Sequence, residues 1–562
     1  MNSKRLLLAG VLVVFSLVAC SKDGGEQQRA KDAGPTISQT LLEAVPAGAL
    51  VVNTFDLSSP GYQKIKAGPY KKFLQRFQQS PLASLSGDPS LPEAKALVAI
   101  VSAAQEARLL PSYDSTTPEV VQGLVGFITT SPATTAGATP HTEIAYYFKG
   151  AAGADLTERL SALAAALEKS GLTVERSSRD GLSLLTVKLP SDNSDGSTII
   201  GTLHAFASKD KLAVASSEGF ALRFFAAPTS DTFIQSPQFR AAAEFLPIGS
   251  DTLVGMSYLD LKNIGSSIAS SIPETEREQF VAGIKALPVE GVVGYLEMRD
   301  VPVLKYAAPL AAQSPEQQQV IQSLQMAKAP ALFGSSPANP VILLSLDGGL
   351  VQRLKQAALQ EMPDAPSTPI VQQLSMLDGL SNIGLGIANS SGASPFPEVF
   401  LLGNSDKAAA VAKNLQSLAQ SLTASSGVPS TPWQQKTIGG VAVDYMLSPF
   451  GIGIYVGAIG STVFVASSEG MVNAILDAST TKAPSLAPTL EGLGKNGVIS
   501  AHLNFARLYD LITAVQGTLA MFTGGQGVNA AEYEGLKDLG SLSAMITTDV
   551  KAVHLEARLN PS

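Results

Sequence analysis

The chain repeats itself, and the repeat limits how many kinds of folding unit it can hold. The hexapeptide Val214-Ala215-Ser216-Ser217-Glu218-Gly219 recurs unchanged as Val465-Ala466-Ser467-Ser468-Glu469-Gly470, 251 positions on. Upstream of it, Leu156, Leu160, Leu163 and Leu167 form a stripe at helical spacing, and Val411, Leu415, Leu418 and Leu422 repeat that stripe 255 positions on. Nearer the start, residues 46–56 match residues 337–347 at an offset of 291, keeping the proline, the alanine and the aspartate. Toward the ends of the two halves, Asp300 and Asp549 occupy matching strand-turn-strand patterns. The matches keep one order. Residues 39–309 and 337–562 therefore read as two tandem copies of one unit, joined by a Gln- and Pro-bearing connector at 310–336.

Each copy reads as α+β. In the first, apolar runs predict strands at 124–129 and 143–148, then the Leu-striped helix, with Asp155 as its cap and Gly171 where it stops. Further strands are expected at 182–189, 199–207, 211–215 and 252–259, and a closing hairpin ends the unit. Helices placed between such strands predict a mainly antiparallel sheet with helices packed on one face. The Val-Ala-Ser-Ser-Glu-Gly turn reads as a strand end feeding a helix, with serine hydroxyls capping free N–H groups and glutamate in the first turn. An anion site at that helix end would have to compete with the resident carboxylate.

The N-terminus carries a different signal. Lys4 and Arg5 precede an apolar run at 6–18, and Leu17-Val18-Ala19-Cys20 brings in the only cysteine of the chain. The run is shorter than the roughly 20 residues that span a bilayer. This stretch resembles a bacterial lipoprotein signal. The resemblance implies a signal peptide at 1–19, removed on export, and Cys20 as the lipid attachment site and mature N-terminus. It also implies an envelope location, with Ser21 rather than aspartate after the cysteine favouring the outer membrane over the inner. Residues 20–38 are polar and nearly free of large apolar side chains, so they read as a flexible tether with a reach of roughly 25 Å. With a single cysteine the chain can close no intramolecular disulfide.

Composition narrows the partners. Charged residues make up 15% of the chain, against a usual quarter or so, and the formal net charge of −8 becomes −10 once Lys4 and Arg5 leave with the signal. Such a chain has no electrostatic footprint for nucleic acid. The Pro-Ala opening at Pro46, the apolar strand ending at Asp56 and the strand-to-Ala-Ser-Ser-Glu turn also resemble an uncharacterised family of bacterial secreted proteins, a domain of unknown function that implies no activity.

Catalytic sets fail on spacing. His141, His204, His502 and His554 form no H-E-x-x-H pair, and no second cysteine exists for a zinc site. By strand alternation His554 is expected on a wet face with Glu556 and Arg558, and His502 opposite Ile499, Ala501 and Leu503. Ser208, Ser191 and Lys436 sit in fragments of a serine acyl-enzyme set, but in the wrong order. The loop at 192–196 departs from calcium spacing. No metal and no cofactor is expected.

One segment breaks the symmetry of the halves. Lys64, Lys66, Lys71, Lys72 and Arg76 lie within residues 62–77 with no acidic neighbour, interleaved with Tyr62, Tyr70, Phe73 and Phe77. Such a segment is either an anionic-surface contact, for headgroups or lipopolysaccharide, or a solvated helix face whose aromatics enter the core. The expected function is that of a non-catalytic envelope lipoprotein that binds or scaffolds a partner protein or envelope polymer. The alternative is a periplasmic carrier of an apolar ligand such as a lipid. A broad exposed apolar patch would favour the protein partner, a deep apolar pocket the carrier, and close carboxylates in a cleft an enzyme.

Overall fold

The computed structural model describes residues 41–560 apart from 69–91, 111–117, 132–140, 190–200, 227–230, 248–249, 251, 265–276, 279–280, 282–286, 299–301, 328–336, 338–339, 362–374, 376, 390–396, 426–431, 448–452, 481–496 and 523–529. Two compact units divide the chain between Ala311 and Ala312.

The first unit opens with β1 (Ala49–Asp56), α1 (Pro60–Ala67), α2 (Pro92–Glu106), β2 (Val121–Ser131) and β3 (His141–Gly150). Next come α3 (Leu156–Lys169), β4 (Thr173–Arg179), β5 (Leu182–Lys188), β6 (Thr202–Ala207) and β7 (Lys211–Ala215). It finishes with α4 (Glu218–Arg223), α5 (Pro237–Ala243), β8 (Leu253–Asp260), β9 (Gly291–Met298) and β10 (Pro302–Pro309). The strands lie in the order β4-β5-β6-β7-β3-β2-β1-β8-β9-β10, every ladder antiparallel. Its striped helix behaves as its sequence dictates. The Asp155 carboxylate accepts the Thr157 N–H at 2.9 Å and is held below the usual carboxylate range by that hydrogen-bonding residue. Leu156, Leu160, Leu163 and Leu167 are buried, and Gly171 follows the helix at φ +84°. The core is aromatic: Tyr147 stacks on Phe224 at 4.6 Å and meets Phe127 edge-on at 5.1 Å, while Phe233 packs on Phe239 and Tyr258.

The second unit contains α6 (Pro315–Gln325), β11 (Ile342–Asp347), α7 (Gly348–Glu361), β12 (Asn382–Ala388), β13 (Glu398–Asn404) and α8 (Ala408–Ser425). Then follow β14 (Gln434–Ile438), β15 (Val441–Leu447), β16 (Gly453–Ile459), β17 (Thr462–Ala466) and α9 (Glu469–Thr480). The last elements are β18 (Gly497–Asn504), α10 (Phe505–Phe522), β19 (Ser541–Thr548) and β20 (Ala552–Asn560). Its sheet runs β14-β15-β16-β17-β13-β12-β11-β18-β19-β20, again antiparallel throughout.

The protein is α+β with an antiparallel sheet, but the expectation of helices on one face is overturned. On β17, Val463 and Val465 pack with Val411 and Leu415 of α8, whereas Phe464 and Ala466 pack with Met471, Val472 and Ile475 of α9. Successive strand residues point to opposite faces, so α8 and α9 cover opposite sides of one sheet. Apolar residues at consecutive positions of β17 already require this, because a strand with one wet face would alternate. The connector is also more than a linker: Ser314 caps α6 by accepting the Gln317 N–H at 3.2 Å.

Candidate functional site

The cationic segment is divided by the fold. Cys20, Lys71, Lys72 and Arg76 lie outside the described residues. Lys64 is exposed on the last turn of α1. Lys66 is not a surface cation. Tyr62, Ile65 and Lys66 stand at i, i+3 and i+4 of α1 and share its buried face. The Lys66 ammonium donates to Glu119 Oε1 at 2.9 Å, and the Tyr62 hydroxyl donates to the same oxygen at 3.0 Å. Glu119, 53 residues along the chain, supplies the carboxylate that Lys66 lacks within its own segment and neutralises its charge.

The duplicated turns do two jobs. Ser216 Oγ donates to the Glu143 carboxylate and accepts the Ile144 N–H, tying the end of β7 to β3. Ser217 begins α4 without a side-chain capping bond. In the second unit Ser467 Oγ accepts the Val399 N–H at 2.9 Å. There Ser468 does cap α9, accepting the Met471 N–H at 2.9 Å while donating to Glu398 Oε1 at 2.7 Å. The first-turn glutamates are engaged as well, Glu218 by Arg179 and Glu469 by Lys436. The bond to Glu469 raises the Lys436 ammonium above its ordinary range, and the same ammonium lies 5.0 and 5.2 Å from the Tyr445 and Tyr455 ring centres. Both helix starts therefore already hold a carboxylate of their own, paired with a cation, in the place an incoming anion would need.

His502 stands on the strand face that alternation predicts, opposite Ile499, Ala501 and Leu503, but that face is not wet. His502 is only 4% exposed, its Nδ1 3.1 Å from Ser543 Oγ, because β18 buries Val498, Ser500 and His502 while Ile499, Ala501 and Leu503 are half-buried on the other face. Burial pushes the His502 imidazole down to about 4. His554 is half-buried with Nε2 2.9 Å from Asp549, and Arg558 is buried against Glu556 at 2.7 Å. Among the described residues no three His, Cys, Asp or Glu side chains gather in a way that could hold a metal ion.

The surface best suited to recognition is apolar. On one face of β12 lie Leu385 and Ile387; they pair across β11 with Leu344 and Ile342, and across β13 with Leu401 and Val399. None of these six side chains carries a polar group. At the neighbouring end of the same face, Ile383 and Leu346 are covered by Val411 and Leu415 of α8. Beyond that cover Leu385 is 44% and Val399 49% exposed. In the first unit Ile128 and Ile144, at the positions answering to Ile387 and Val399, are buried together with Val51. Sequence reading missed this face because each residue in it belongs to an ordinary strand run, which does not say what packs above it.

The chain matches no family model, no curated protein and no solved structure. Among the described residues no helix is long and apolar enough to cross a membrane.

Proposed function

We propose that this protein is a lipid-anchored component of the bacterial envelope, held at Cys20, with a non-catalytic binding or scaffolding role. The body is one ten-stranded unit written twice, a reading supported by the equal strand order of the two sheets. The second copy does the binding: a partner protein docks on the sheet face formed by β11, β12 and β13. The observation that carries this is the exposure of Val399, whose counterpart Ile144 is buried in the first unit, beside the exposed Leu385. Covering two half-exposed aliphatic side chains contributes about 2 kcal/mol, a useful share of a weak protein interface. An apolar protein surface fits such a face better than a hydroxylated polymer does.

The experiment separates anchor from docking. Cys20→Ala is expected to move the protein from the membrane fraction to the soluble fraction. Leu385→Glu combined with Val399→Glu should leave it in the membrane fraction and abolish copurification of its partner. A Cys20→Ala form that stays with the membrane would overturn the anchor, and charged variants that keep the partner would overturn the docking face. A stoichiometric lipid-sized adduct on the soluble form in native mass spectrometry would assign the face to lipid carriage instead.

A further inference from the structure

The opposite face of the second sheet is unusual for the middle of a domain. Ser345 on β11 is fully buried and Ser500 on β18 nearly so, and the ladder pairs them directly. Among the described residues neither hydroxyl oxygen has a hydrogen-bond partner. On the far side of Ser345 the ladder places Gly384, which adds no side chain to the face. One row along the sheet, His502 pairs with Ser543 in register and shares a hydrogen bond with it.

The first unit fills the same rows with bulk. There Thr54, whose buried hydroxyl also lacks a partner among the described residues, stands alone between the bulky Val125 and Met256 with no second hydroxyl beside it, and Tyr258 pairs with Val293. Replacing Val, Met, Tyr and Val by Gly384, Ser500, His502 and Ser543 trades apolar volume for hydroxyl and imidazole groups at buried positions. A core under no other demand gains nothing from that trade, since a buried hydroxyl without a partner is destabilising.

We propose that Ser345 and Ser500, flanked by His502 and Ser543, form an internal site for a small uncharged hydroxyl-bearing molecule, either water or the hydroxyl group of a bound solute. A hydroxyl both donates and accepts, which two serine hydroxyls need. The charges bordering the site are engaged: Asp347 accepts the Leu350 N–H at 2.7 Å, and Arg558 is paired with Glu556. The site thus has no net charge to offer an ion. An internal water requires polar partners of this kind and ties them together.

The test combines density with stability in the soluble chain lacking residues 1–20. A crystal structure at a resolution that shows ordered water is expected to place a molecule within hydrogen-bond reach of both Ser345 and Ser500 hydroxyls. A single oxygen there identifies water; a larger group identifies a solute. The Ser345→Ala, Ser500→Ala double variant is expected to melt about 2–4 °C lower. Two bare hydroxyls in the density, or a double variant that melts higher than the parent, overturns the proposal.

Discussion

His502 makes the second unit sensitive to acid, and the effect can be worked through. In the unfolded chain the imidazole has its ordinary value of 6.5, whereas burial in the sheet lowers it to about 4. Between those values the unfolded chain binds a proton that the folded chain refuses, so stability is full above pH 6.5 and falls as the pH drops toward 4. A difference of 2.5 units at 1.36 kcal/mol per unit amounts to about 3 kcal/mol. The nearby charges, Arg558 with Glu556 and Asp347, belong to the same region, so the imidazole contribution must be isolated by difference. Trp433, the only tryptophan, packs in the second unit and reports its unfolding by fluorescence. Urea titrations at pH 7.5, 6.5, 5.5 and 4.5 on the native chain and on His502→Gln should diverge, with the native chain losing about 2.5 kcal/mol more over the range, since pH 4.5 stops short of the folded value. Parallel pH dependences would refute the reasoning, whatever the absolute stability of the variant.

Other substitutions have expected signs. At Gly386 a Cβ would lie 2.0 Å from Phe400 Cζ, so Gly386→Ala should cost about 1–3 kcal/mol in urea unfolding. Gly219 in α4 has open space around it, and Gly219→Ala should raise stability by about 0.5–1 kcal/mol. Ser468→Ala removes the α9 cap and a hydrogen bond to Glu398, for an expected loss of about 1–2 kcal/mol seen in Trp433 fluorescence. Lys66→Met takes the ammonium from Glu119 and should destabilise the first unit by about 3 kcal/mol in calorimetry, with Glu119→Gln added to it restoring part of the loss.

The parts of the fold legible in sequence are those written locally. The Leu156 to Leu167 stripe, the Asp155 cap and the Gly171 stop are each decided within a few residues, and the helix ends where they say. Strand β4 escaped because Thr173–Arg179 is polar and mostly exposed, so it has no apolar alternation to read. Its one local mark is Asp180-Gly181, both at positive φ, the two-residue turn that joins β4 to β5. Gly439 and Gly440 make the same kind of turn between β14 and β15. What depends on distant chain was illegible. The inward turn of Lys66 is set by Glu119, the burial of His502 by its neighbours across the sheet, and the openness of Leu385 and Val399 by the absence of cover over their end of the sheet among the described residues.

The proposed docking face is tested most directly on the full chain inside the cell that makes it. A photo-crosslinking amino acid placed at 385 or at 399 should, on illumination of living cells, give one discrete higher-mass adduct, the same from both sites. The same amino acid at Ser161, exposed on α3 of the first unit, should give none. No adduct from 385 and 399, or an identical adduct from Ser161, would contradict the assignment of the β11–β13 face as the binding surface.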